Sequence, residues 1–380
     1  MNHRSNRLFL CALAAGALLA GAMSASAIGT IYTWNAPAGS WSDTNNWTSN
    51  RPGTLPSSGD LTIFNNGGTA VLAAGVSGTA LAISTGTGAG TSGTILVSGG
   101  SLAVGSSGFT LGVNATGGGG LTITSGSAAV VGTAIVGSLG SGTLSLSGGG
   151  LNVNAVTLGS GSTGRGTALV TGGVWTGSGA LTIGQFGSGS TFAIQNGGQV
   201  NSTSAFIGTG TSTSTTFGGS NAVTVSDNGS MWILSGTAVI GQFGANNTLT
   251  VQDSALVKIG GRLLVSQNTG TNNFLRLDGG YVALLGDQTG NVNTLLTSND
   301  IEVWSGTSWV TATGNPLFTG TYFNGDDTAA FTATGYHGLG NYTVLTAIPE
   351  PGTCALVGLG GVAGGIAWRR RRQQTLFPST

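Results

Sequence analysis

The chain has 380 residues, 72 of them glycine, and only 6% of it is charged. Glycine is far above its usual ~7%, yet 39% of the residues are hydrophobic, which excludes a disordered polar tract. Between Ile28 and Ile348 ten acids face five bases, a net charge near −5 with no basic stripe, which argues against a nucleic-acid partner.

The N-terminus reads as a targeting segment. His3, Arg4 and Arg7 form a basic start, Leu8 to Met23 an apolar stretch, and Ala25-Ser26-Ala27 a small-residue cleavage site. Residues 1–27 are therefore expected to be a signal peptide, cut after Ala27 by signal peptidase as the secretion machinery exports the rest. An uncleaved anchor helix is the alternative.

Residues 28–92 are expected to form a Trp-rich β cap. Trp34, Trp41 and Trp47 cluster there, and Asp60-Leu61-Thr62-Ile63-Phe64 opens an alternating apolar run. Aromatic rings at the end of a stacked fold shield its first layer. The functional alternative is a stacking platform for extracellular polysaccharide, built from the same three indoles.

Residues 93–285 repeat. An apolar-x-apolar pair begins at Ile95, Leu121, Leu144, Ala168, Phe192, Val223, Leu249 and Leu275, at intervals of 26, 23, 24, 24, 31, 26 and 26 residues. A turn rich in Gly, Asn or Asp follows most pairs. A second apolar residue comes 14 to 17 residues after each pair begins, with Gly next in six cases: Leu111, Val136, Leu158, Ile183, Ile207 and Ile240. In the seventh, Val265, the following residue is Ser266. Two marks held in phase over successive units predict an all-β fold, a parallel β-solenoid (β-helix) of about eight ~25-residue repeats. Each unit would supply two or three short strands with alternate side chains inward. Glycine at the corners would allow tight turns. Whether one unit makes one rung or two is left open.

Residues 286–347 lose the repeat and are expected to close the other end as a small antiparallel β cap. Asp326-Asp327 reads as a turn, with a Ca²⁺ ligand pair as the weaker alternative. Beyond it, Gly352 to Trp368 is uncharged for 17 residues and runs into Arg369, Arg370, Arg371 and Arg372. That is the lower limit of a transmembrane helix, and the arginines would keep its far end cytoplasmic. Residues 373–380 would then be a cytoplasmic tail. Gly358, Gly360, Gly361, Gly364 and Gly365 make the span a poor permanent anchor, so a transient stay in the inner membrane is expected.

Catalytic chemistry is not expected. No Asp or Glu occurs from 61 to 226, whereas glycoside hydrolysis needs two convergent carboxylates. Asp253 and Asp278 stack in neighbouring units near Lys258 and Arg276, the one arrangement that suits a polysaccharide lyase or hydrolase. His337 is the only histidine of the exported body. The two cysteines, Cys11 and Cys354, lie in the two apolar ends. No metal or cofactor is expected.

The tail resembles the PEP-CTERM sorting signal of Gram-negative bacteria, in Pro349-Glu350-Pro351, the apolar Gly352 to Trp368 and Arg369 to Arg372. The repeats resemble those of autotransporter passengers, through their apolar-x-apolar pairs, Gly-Gly turns and aliphatic-Gly marks. The resemblance implies an exosortase that recognises Pro349, Glu350 and Pro351, processes residues 348–372 and delivers the protein to the envelope surface or to an exopolysaccharide matrix. The expected protein is thus an exported structural component of a biofilm-forming cell, with an adhesin or glycan-binding role as the alternative.

Overall fold

The structure, a computed structural model, describes residues 29–210, 218–323 and 341–347. Among them, strands of three or more parallel families join in one continuous sheet that winds into a solenoid of about nine turns. At ~4.8 Å per rung the rod is roughly 40 Å long.

Each turn carries three strands. The first face holds the apolar-x-apolar pairs: Ser141–Leu146 lies parallel on Arg165–Thr171, and that on Thr191–Gln195. The pair positions stack in the expected register, Leu121 on Leu144, Ala168 on Phe192, Val223 on Leu249 and Leu249 on Leu275. The second face holds Gly150–Val153, Val174–Gly177, Gln199–Ser202, Met231–Leu234 and Leu256–Ile259. The third face holds the second sequence mark, with Val136, Leu158, Ile183, Ile207 and Ile240 in one buried column. Consecutive units pair directly, so one unit makes one rung.

Alternation explains the burial. Along Thr191–Gln195 only Phe192 and Ile194 are buried, and along Met231–Leu234 only Trp232 and Leu234. A period of two puts every second side chain inside, where it meets the same position of the next rung. The core is one unbroken column from Tyr32 to Ala347. At ~25 cal/mol per Å² of apolar surface, such stacking is what holds a rung that could not fold alone.

The stack begins earlier than the repeat suggests. Ile31–Trp34 pairs parallel with Leu61–Phe64, and Leu61–Phe64 with the second half of Ser77–Thr85. Residues 31–85 therefore form rungs rather than a separate cap. On their first face the inward positions are Tyr32, Trp34, Thr62, Phe64, Ile83 and Thr85, so rings and threonines stand there in place of most aliphatics, while Ala70, Leu72 and Ala80 face inward on the strands that follow.

The C-terminal end also departs from expectation. Ile301–Trp304 first extends the parallel first face by one strand. Antiparallel strands then follow: Trp309–Thr311 on the first face, and Tyr342–Ala347 on the second, between Tyr281–Leu285 and Phe318–Phe323. On the third face, however, a helix, Thr289–Thr297, takes the place of a strand. It buries Val292 and Leu295, and Asn291 Nδ2 donates to the Leu263 carbonyl at 2.9 Å. Two inward residues three apart in nine make too short a period to stand out among Asn and Thr.

The corner between the third and first faces holds a polar ladder. Asn221, Asn247 and Asn273 are fully buried and stack rung on rung. Asn221 donates both its backbone N–H and Nδ2 to Asn247 Oδ1, at 3.0 and 2.9 Å, and Asn247 does the same to Asn273 Oδ1. Three of the aliphatic-Gly marks, at Gly184, Gly208 and Gly241, serve this ladder. Gly208 has φ +69°, and a Cβ there would lie 2.0 Å from Asn247 Nδ2. Glycine is needed at this corner both for its backbone angle and for the space the asparagine occupies.

Candidate functional site

The three N-terminal indoles are core. Trp34, Trp41 and Trp47 are 0%, 1% and 7% exposed. Trp47 stands edge-on to Trp41 and Trp34, with ring centres 4.8 and 5.0 Å away, and donates Nε1 to the Trp41 carbonyl at 2.9 Å. Phe64 of the next rung completes the cluster. Burial leaves these rings no free face for a sugar and counts against the stacking platform at this end. Their position agrees with shielding the first rungs.

Asp60 anchors the same end. It is buried and accepts the backbone N–H of Thr30 and of Ser57, at 2.7 and 2.9 Å, and it pairs with Arg51. Burial pulls its carboxyl upward, but the bonds from Ser57 and Thr30 and the Arg51 charge outweigh this and hold it below the usual carboxylate range.

A second aromatic cluster lies at the other end, facing outward. On the first face, strand alternation puts Phe274, Arg276 and Asp278 on the outer surface of one strand, with Glu302 and Trp304 on the next and Trp309 and Thr311 on the last. Register sets Arg276 beside Glu302, Glu302 beside Thr311 and Trp304 beside Trp309. Arg276 Nε donates to Glu302 Oε2 at 2.7 Å, with the two side chains 28% and 17% exposed. The guanidinium lies 5.5 Å from the Phe274 ring centre and 5.2 Å from that of Trp309. Trp304 and Trp309 meet edge to face at 5.3 Å. Burial, and then the neighbouring Asp253 charge, push the Asp278 carboxyl up. Lys258, the other base near these acids, lies on a different face, 4.8 Å over the Tyr342 ring.

A polar cleft of about 650 Å³ opens beside the helix, lined by Arg262, Ser266, Gln267, Asn291, Thr294 and Asp300 among others. Burial raises the Asp300 carboxyl, and a bond from Ser266 opposes this. Ser266 stands where the earlier rungs have glycine. Among the described residues no three His, Cys, Asp or Glu gather as a metal site.

The other residues singled out by sequence lie outside the described residues. These are Ala25, Ala27, Asp326, Asp327, His337, Pro349, Glu350, Pro351 and Arg369 to Arg372, together with the apolar stretch 352–368. Among the described residues no helix is long and apolar enough to cross a membrane.

Residues 347–372 match the PEP-CTERM protein-sorting motif. The match spans the Pro-Glu-Pro triplet, the apolar stretch and the arginine cluster in one segment. Compared with curated proteins and with solved structures, the chain matches none. A PEP-CTERM motif implies an exosortase as the processing partner, and with it export to the cell surface or beyond.

Proposed function

We propose that the protein is a non-enzymatic structural component of the envelope surface or extracellular matrix of a Gram-negative bacterium. It is exported through a cleaved signal peptide, held briefly in the inner membrane by the 352–368 segment, and processed at Pro349-Glu350-Pro351 by an exosortase. The observation that carries this reading is the sorting motif joined to a β-solenoid, a rod held by repeated parallel pairing over a continuous apolar core.

The lyase or hydrolase alternative would have to use groups already in contact, Arg276 with Glu302 and two rings, and Lys258 with the Tyr342 ring on a different face. A rod that presents repeated surfaces needs no reacting group.

Cell fractionation with and without the host's exosortase tests the proposal. The protein should leave the inner membrane only when the peptidase is present. Equal release from both strains would refute the sorting step.

A further inference from the structure

Among the described residues the tryptophans that remain available lie at the C-terminal end of the first face. Trp304 and Trp309 are partly exposed on the outer surface, whereas Trp34, Trp41, Trp175 and Trp232 are fully buried. An indole kept on the outside of a sheet costs solvation and is retained where something covers it. Around the pair stand the hydrogen-bonding groups of Arg276, Asp278 and Glu302. Their geometry is fixed rather than floppy: Phe274 and Trp309 flank the guanidinium, and Glu302 holds its Nε. Arginine has five N–H donors, so those on its two Nη atoms remain for a ligand.

The charge of the patch narrows the ligand. One base and three acids, with Asp253 beside Asp278, leave it at about −2, on a body near −5. An anionic polymer would meet repulsion, and a polycation would find only Asp253 and Asp278 outside the Arg276–Glu302 pair. In the same outward columns the preceding rungs present Thr248, Thr250 and Thr224, side by side in register with Phe274 and Arg276. Hydroxyls and methyls thus continue the surface in steps of ~4.8 Å. A pyranose ring has an apolar C–H face that stacks on an electron-rich indole and a rim of hydroxyls that bonds to carboxylate and guanidinium.

We infer that the outer first face around Trp304, Trp309, Arg276 and Glu302 is a binding platform for an uncharged polysaccharide chain lying along the rungs. The inference goes beyond the sorting proposal and does not depend on how the tail is processed. It assigns the platform to the opposite end of the rod from the tryptophan cluster that sequence singles out.

The test is affinity electrophoresis of the exported protein, purified from its host, through gels containing soluble neutral glycans (dextran, hydroxyethylcellulose, galactomannan and laminarin) or the anionic glycan alginate. The wild type should be retarded by at least one neutral glycan and not by alginate. Trp309→Ala and Trp304→Ala should each bind about tenfold more weakly, a factor worth about 1.4 kcal/mol. Oxidative footprinting of the wild type gives a readout free of folding defects: the retarding glycan should lower labelling of Trp304 and Trp309. No retardation by any neutral glycan, retention by alginate that equals or exceeds it, unchanged binding of both variants, or unchanged labelling of both indoles would each overturn the inference.

Discussion

Removing one asparagine from the middle of the ladder tests how the rungs are held. In Asn247→Ala, the backbone N–H and Nδ2 of Asn221 both lose their acceptor, while Asn273 Oδ1 keeps only the bond from the 247 backbone. All three asparagines are fully buried, so water cannot take over. An orphaned buried donor costs about 1–3 kcal/mol, and two of them, with a lost bond beside them, amount to ~3 kcal/mol. Because a solenoid opens locally as well as globally, the assay is hydrogen exchange of the segment around Asn221 rather than a melting point alone. Protection there should fall about 100-fold. The exposed Asn152→Ala, whose side chain points outward on the second face, should change its own segment by less than about threefold. If Asn247→Ala behaves like Asn152→Ala, the ladder does not carry the load assigned to it.

Two glycine substitutions separate backbone angle from space. Gly197→Ala (φ +78°, nothing within 4 Å of the added Cβ) should lose about 1 kcal/mol in denaturant titration. Gly208→Ala adds a 2.0 Å approach to Asn247 and should lose well over twice that, and equal losses would deny the steric role. Acid should loosen the N-terminal rungs first. Asp60 is held below its usual value, so its contribution is complete above about pH 4 and lost as pH falls through the depressed value. Protection of the amides near Thr30, taken relative to their intrinsic exchange rate at each pH, should fall in that window for the wild type and be flat with pH for Asp60→Asn. Asp278 and Asp300 shift the other way: the folded state holds their protons more tightly, so stability falls as pH rises from about 4 through their raised values. Asp300→Asn should flatten the slope of the C-terminal end in the same exchange experiment, and an unchanged slope would place its origin elsewhere.

The repeat was readable because two aliphatic marks recur at nearly constant spacing, and every predicted pair position sits in register with its neighbours. In the first rungs the two spaced aliphatic marks are missing: rings and threonines, as at Trp34, Thr62, Phe64 and Thr85, take inward places, so the run from Leu61 shows an alternation without showing that it belongs to the stack. The asparagine ladder had a signal, since Asn221, Asn247 and Asn273 each precede a pair by two residues at intervals of 26. Extending the pair pattern once more, from Leu275 to Ile301, would have stacked Arg276 on Glu302 and pointed to the outward patch. Side-chain direction, not residue type, separates Trp304 and Trp309 from Trp34 and Trp41. In the N-terminal module, where turns interrupt the alternation, composition carries no such direction. The helix Thr289–Thr297 had almost no local signature, because its place is set by the third face it covers.

Intact mass and cell fraction of the exported protein in its native host, wild type beside Glu350→Ala, test the central claim most directly. The wild type should begin after Ala27, end near Pro349 and appear outside the inner membrane, while Glu350→Ala keeps Arg369 to Arg372 and stays in that membrane. Retention of the arginine cluster by both proteins would make the tail an ordinary anchor and contradict the sorting account.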